Sequence, residues 1–288
     1  MRVHHLNCIS TCPLGGALMD GQSAGLRGRL ACHCMLVETA TDLVLVDTGF
    51  GTRDVLQPRP RLSAFFLALV APEFRDELTA IRQIERLGFD PRDVRHILLT
   101  HLDFDHAGGL DDFPDATVHL MKEEREAARN RRTWMDRQRY RPLQWANHAQ
   151  WLEHSTSTGE PWFGFEAVRQ LPGVPPEILL IPLRGHTLGH AGVAIDTGDQ
   201  WLLQAGDAYF YHAEMDVERP HCTPGLRFYQ WMLEKDRTAR LTNQERLRQL
   251  KRDNGRAVRV VSSHDVRQFE SVAHRPLGNP AGDLAAAR

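Results

Sequence analysis

The segment His101-Leu102-Asp103-Phe104-Asp105-His106, followed by Ala107-Gly108-Gly109, crowds two imidazoles and two carboxylates into six residues. Carboxylates held this close repel one another unless positive charge sits between them. A pair of divalent metal ions that activates water is the chemistry such a donor set suits best. In an extended or tightly turning segment, residues 101, 103 and 105 project to one side, and His106 adds a fourth donor around the turn. Further donors stand in similar settings: His186 and His190 in Gly185-His186-Thr187-Leu188-Gly189-His190, Asp207 in Ala205-Gly206-Asp207, and His264 in Ser262-Ser263-His264-Asp265.

Each of these donor groups follows an apolar or β-branched run that reads as a strand, expected at 94–100, 178–183, 201–205 and 257–261. The C-terminal end of a strand is where α/β folds place their ligands. Strands are also expected at 3–7, 32–38, 43–47, 117–121 and 191–196. Apolar spacing and Gly88 predict a helix over 78–88, and a second helix starts at Lys122. Thr242-Asn243-Gln244-Glu245 has the form of a capping box opening the last major helix. Two strand-rich halves with helices outside predict an α/β fold, a four-layer αβ/βα sandwich. The expectation is one domain over residues 1–288, with the donors at one edge between the sheets.

In this order and spacing the chain resembles the metallo-β-lactamase-fold hydrolase superfamily. Its signature is His-x-His-x-Asp-His, then Gly-His-Thr, then Gly-Asp, then a late His. An upstream Asp-Thr-Gly, here Asp47-Thr48-Gly49, closes an early strand. The resemblance runs from about Met35 to His264, and the Ser-Ser-His-Asp ending looks most like the lactonase-type branch. It implies one metal position comprising His101, Asp103 and His186, and another comprising Asp105, His106 and His264, with Asp207 bridging. It further implies two divalent ions, zinc foremost, and a metal-bridging hydroxide that attacks a carbonyl or a phosphorus. Asp105 and Asp207 would hold that water while remaining ligands.

One position departs from the pattern: Asp103 stands where the family has its second His. A carboxylate there shifts the preference towards Fe or Mn. It also adds a negative charge expected to make the bound hydroxide more basic. Lactonase-type relatives often place a Tyr three residues after the bridging Asp. That position is Phe210 here, so the flanking Tyr209 and Tyr211 become the candidates to assist the substrate oxygen. His190 is expected to orient a neighbour or to pack, not to bind metal.

The rest of the chain bounds the reading. A length of 288 residues is ample for a buried core, and 42% hydrophobic with 25% charged residues excludes a disordered class. A net charge of −2 proposes no polyanionic partner. The apolar stretch Phe65–Ala71 is too short to span a bilayer, and Arg2, His4, His5 and Asn7 interrupt any apolar leader. A cytoplasmic address is therefore expected. Cys8, Cys12, Cys32 and Cys34 read as reduced thiols, those of the 32–38 strand packed inside, and not as a thiolate zinc site.

Residues 129–165 interleave Trp134, Tyr140, Trp145, Trp151, Trp162, Phe163 and Phe165 with six arginines. Such interleaving can mark a nucleic-acid surface, but the basic run is short and the whole chain slightly acidic. The region is expected instead to be an insertion that roofs the metal site, where aromatic walls admit an apolar chain or ring and an Arg meets a carboxylate.

The function expected is a metal-dependent hydrolase of a small-molecule ester, lactone, thioester or amide. No nucleic-acid or membrane partner is expected, and a homodimer is compatible with the sequence. The alternatives are a phosphodiesterase or nuclease of the same fold, or a non-catalytic metal-binding protein. Chelators should abolish hydrolysis, whereas serine- and thiol-directed reagents should leave it intact. Activity should rise with pH through a limb near 7, where a metal-bound water ionises. Inactivation by a thiol reagent with metals retained would instead establish a covalent mechanism.

Overall fold

The computed structural model describes residues 1–148, 150–155 and 160–282. Twelve strands form two six-stranded sheets. The first contains β1 (Arg2–Asn7), β2 (His33–Glu38), β3 (Leu43–Val46), β4 (Val94–Leu98), β5 (Thr117–Met121) and β6 (Trp151–His154), side by side in that order. The second runs β12 (Val258–Val261), β11 (Trp201–Gln204), β10 (Ala191–Asp196), β9 (Ile178–Pro182), β8 (Phe165–Gln170) and β7 (Glu160–Trp162). Strand β3 pairs parallel with β4, and β4 with β5. Strand β11 pairs parallel with β12 and antiparallel with β10, which in turn is antiparallel to β9. The C-terminal ends of β9, β11 and β12 therefore lie at one edge, as do those of β3 and β4 in the other sheet.

Side-chain alternation explains why the sheets stack. Met35, Val37, Val44, Val46 and Leu98 of the first sheet share one core with Ile178, Leu180, Val193, Ile195 and Leu202 of the second. The alternate residues Cys34, Leu36, Leu43 and Leu45 face outwards, onto Ala80 and Ile84 of the helix Ala80–Arg86 and Ala128 of the helix Lys122–Asn130. In the second sheet Leu179, Ile181 and Leu203 pack on Leu247 and Leu250 of the helix Arg237–Asn254. Strands covered on both faces read as continuous apolar runs, which is why their hydrophobic signal was strong. The layering is the expected αβ/βα sandwich. Among the described residues no helix is long and apolar enough to cross a membrane.

Three expectations change. The helix Arg237–Asn254 begins well before Thr242, because Asp236 already caps it by accepting from the Ala239 amide at 2.9 Å. Thr242–Glu245 lies inside that helix, where Asn243 donates to the Arg184 carbonyl (2.8 Å) and Gln244 to that of Ala208 (3.0 Å). The last helix is Val266–Ala273, capped by Asp265. The stretch 129–165 is also not set apart from the sheets, although its Arg139 reaches the donor cluster. It supplies the edge strand of each sheet, buries Trp145 against the first sheet and Trp162 against the second, and sets Trp151 beneath Arg125. Residues 149 and 156–159 of that stretch lie outside the described residues. The five cysteines are free thiols, with Cys8, Cys32 and Cys34 buried.

The turn after β3 constrains its residues tightly. Asp47 has φ of 53° and Gly49 has φ of 64°, and a Cβ on Gly49 would collide with Cys8. Asp is among the few side chains that tolerate this backbone, and Gly meets it at no steric cost. The inter-sheet core has a direct test. Leu180→Ala should cost about 2–5 kcal/mol of unfolding free energy in a denaturant titration. A loss below about 1 kcal/mol, the scale of a surface change, would show that the sheets do not interlock there.

Candidate metal centre

The edge loops bring all seven donors named from the sequence into one buried cluster. His101, Asp103, Asp105 and His106 follow β4, His186 lies between β9 and β10, Asp207 follows β11 and His264 follows β12. None is more than 7% exposed. Asp207 stands at the centre. Its Oδ2 lies 3.3 Å from His186 Nε2 and 3.7 Å from His101 Nε2, and its Oδ1 lies 3.4 Å from His106 Nε2 and 3.1 Å from His264 Nε2. Asp105 completes one flank, 3.9 Å from His106 Nε2 and 3.8 Å from His264 Nε2. Asp103 completes the other, 3.3 Å from His101 Nε2 and 3.1 Å from His186 Nε2. Three overlapping donor groups, His101–Asp103–His186, His101–His106–Asp207 and Asp105–His106–His264, have the compactness a metal ion needs.

Surrounding hydrogen bonds aim these imidazoles. His106 donates from Nδ1 to Asp47 at 2.8 Å. His101 donates from Nδ1 to Thr100 Oγ1 at 2.9 Å, and that hydroxyl donates onward to Asp47 at 2.8 Å. His264 donates from Nδ1 to the Ala31 carbonyl at 2.7 Å. With Nδ1 the donor in each ring, every Nε2 lone pair faces the cluster. His101 Nε2, His106 Nε2 and Asp207 Oδ1 are buried and have no hydrogen-bond partner among the described residues. A buried polar atom left unpaired is costly. A divalent cation satisfies these atoms, so the donor set around Asp207 fits one.

His190 stays out of the cluster, as expected, and supports it. Its Nδ1 donates to the Leu183 carbonyl (2.9 Å), while its Nε2 accepts from the backbone amide of Asp207 (2.8 Å). Burial and nearby His186 push its pKa down to about 3, so it remains the neutral acceptor this bond requires. Gly206, with φ of 56°, permits the approach, since a Cβ there would stand 2.5 Å from His190 Nε2. Glu124 ties two ligand loops together by accepting from the Leu102 amide (2.9 Å), the Gly189 amide (3.2 Å) and the Thr187 hydroxyl.

Two side chains here were not individually named by the sequence. Arg139 ends the helix Trp134–Arg139 and is fully buried. Its Nε donates to Asp103 Oδ1 at 2.6 Å, one terminal nitrogen donates to Asp103 Oδ2, and the same nitrogen lies 2.7 Å from His186 Nε2. The expectation that Asp103 adds net negative charge is therefore corrected. Although burial opposes ionisation, the Arg139 guanidinium holds the Asp103 carboxyl well below its usual range and balances its charge. Tyr229, from the helix Pro224–Leu233, packs on Phe210, which stacks on His264. Burial, with Asp105, Asp207 and Asp103 nearby, raises its pKa well above that of an ordinary phenol, so it stays protonated. The basic and aromatic richness of 129–165 was the only sequence signal for Arg139, and Tyr229 had none.

Of the two tyrosines that were named, Tyr211 lines a cleft with Phe210 and His264, whereas Tyr209 lies away from the cluster. Tyr209 is buried in the core of the second sheet and donates to Gln268 at 3.0 Å. Tyr211 packs against His212 and His221. Removing the support of His106 tests the centre: Asp47→Ala should weaken metal binding about 10–100-fold in a chelator competition. Unchanged affinity would take His106 out of the ligand set.

Comparison with known proteins places the chain in a family. A sequence model of the metallo-beta-lactamase superfamily matches residues 27–258. A probable metallo-hydrolase of Mycobacterium tuberculosis is 40% identical over 265 residues, 92% of this chain and 80% of that protein. An N-acyl homoserine lactonase of Bacillus thuringiensis is 29% identical over 215 residues, 72% of this chain and 78% of that one. Among solved structures, an N-acyl homoserine lactone hydrolase with N-hexanoyl-L-homoserine at its catalytic metal centre superposes with a TM-score of 0.70. It is 22% identical and covers 93% of this chain and 95% of its own. A dizinc quorum-quenching lactonase in complex with its product gives a TM-score of 0.61 at 16% identity, covering 91% and 86%. The family match spans the sandwich from before β2 to the start of β12, and by it this chain belongs to the metallo-beta-lactamase superfamily.

Proposed function

We propose that this protein is a metal-dependent hydrolase of a small-molecule ester or lactone, with thioesters and amides as related carbonyl substrates. The observation that carries this reading is the Asp207 carboxylate set among four imidazoles, with Nε2 of His101 and His106 and one oxygen of Asp207 left unpaired in a buried site. Asp105, His106, Asp207 and His264 would hold a divalent ion, zinc foremost. Such an ion supplies Lewis acidity and brings the pKa of a bound water down to about 7. The superfamily membership and the lactonase relatives support carbonyl hydrolysis.

The chain's own residues supply the rest. Asp207 and Asp105 would hold and orient the attacking water, Asp105 on the flank between His106 and His264. Tyr229, which packs on Phe210 beside His264, would donate a hydrogen bond to the oxygen that gains charge as the carbonyl is attacked. Phe210 and Tyr229 form an apolar wall that limits water at the reacting carbon.

Zinc-reconstituted protein should hydrolyse aryl esters or lactones faster than lactam reporters or bis-aryl phosphates. Tyr229→Phe should lower kcat by about 10²-fold, the scale of one oxyanion donor, with little change in KM. Turnover of bis-aryl phosphates alone would replace this reading with phosphodiester cleavage. Metal binding without turnover of any of the four substrate types would favour a non-catalytic metal-binding protein.

A further inference from the structure

We propose that Arg139 is a resident cation of the His101–Asp103–His186 position, so that the two metal positions of this chain are unequal. Divalent metal is held tightly by Asp105, His106, Asp207 and His264, and enters the other position only by displacing the guanidinium. This rests on the metal-dependent reading above.

Hydrogen-bond chemistry supplies the first argument. A guanidinium has only donors. With an Arg139 nitrogen 2.7 Å from His186 Nε2, that ring nitrogen must be the acceptor. The lone pair it uses is the one a metal would need. Both oxygens of Asp103 are likewise engaged by Arg139 in a bidentate fork. Of the three donors at this position only His101 Nε2 is without a hydrogen-bond partner. At the opposite position, among the described residues, His106 Nε2 and Asp207 Oδ1 lack hydrogen-bond partners and no Arg or Lys pairs with Asp105.

Charge supplies the second. Asp103 and Arg139 cancel, leaving the His101–Asp103–His186 position near neutral. Asp105 and Asp207 offer two uncancelled carboxylates to a dication on the other side. The third argument is that Arg139 is anchored independently of the cluster. Another of its nitrogens donates to the Leu233 carbonyl at 2.8 Å. Its helix is capped by Thr133 and tied through Asp136 to Lys235, whose amide bonds the Gly185 carbonyl at 2.9 Å. A side chain held at both ends is a built part of the site. The Asp at position 103, where its relatives' pattern has His, then serves as the anion that receives this cation.

The test is a titration of the chelator-stripped full chain with Co²⁺, followed by calorimetry and electron paramagnetic resonance. Wild-type protein should take up one equivalent tightly and a second about 100-fold more weakly, with the spectrum of an isolated ion at one equivalent. Arg139→Gln should tighten the second step towards the first and give the spectrum of a coupled pair. Two wild-type equivalents of comparable affinity would overturn the proposal, and this measurement needs no variant to fold. So would an Arg139→Gln protein that stays folded, by circular dichroism, with its second step unchanged. Failure to bind any equivalent would overturn the metal-dependent reading as well, which separates the two failures.

Discussion

The structure turns on burying four carboxylates, Asp47, Asp103, Asp105 and Asp207, together at one edge of a sandwich whose core is apolar. Charge removed from water needs compensation at short range. Here each carboxylate has a distinct partner arrangement. Asp47 is saturated by donors from Thr100 and His106. Asp103 is neutralised by Arg139. Asp207 gathers four imidazoles, and Asp105 has only two of them at 3.8–3.9 Å. The negative charge left over is therefore concentrated on the flank between Asp105 and Asp207, where a cation has the most to gain.

The fold delivers this arrangement through strand direction. Because β3 runs parallel to β4 and β11 to β12, their C-terminal loops open at the same edge. Backbone bonds then stitch the loops across the sheets: the Ala191 amide to the Thr100 carbonyl (2.9 Å), and the His33 amide to the Ser263 carbonyl (2.9 Å). Glu124 and His190 perform the same task with side chains, joining ligand loops that arise far apart in the chain. A ligand geometry held by such cross-links is already formed before any ion arrives, which reduces reorganisation on binding.

Asp103 and Arg139 show how one substitution in a motif alters the meaning of a site. Read alone, a carboxylate in place of an imidazole makes the cluster more anionic. Read with the helix Trp134–Arg139 packed against it, the same carboxylate becomes half of a buried ion pair, and the local charge is lower than the motif suggests. The residues that would touch substrate come from a different place again, since Phe210 and Tyr229 form the wall beside His264.

The donors at 101–106, 186, 207 and 264 and the strands that carry them were legible in the sequence, because local spacing and apolar runs report strand ends directly. The core between the sheets was legible for the same reason: strands covered on both faces leave continuous apolar runs in the chain. The capping of the helix Arg237–Asn254 was misplaced, because Asn243 and Gln244 serve tertiary bonds that imitate a cap signal. Tyr140, Trp145, Trp162 and Phe165 of 129–165 went to sheet cores, since a strand at a sheet edge and a lid over a site have similar composition. What only the tertiary structure decided was the pairing of Arg139 with Asp103, the approach of Tyr229 and the departure of Tyr209 from the site. Each depends on where a helix or turn docks on the sandwich, and docking is set by long-range packing that no local pattern encodes.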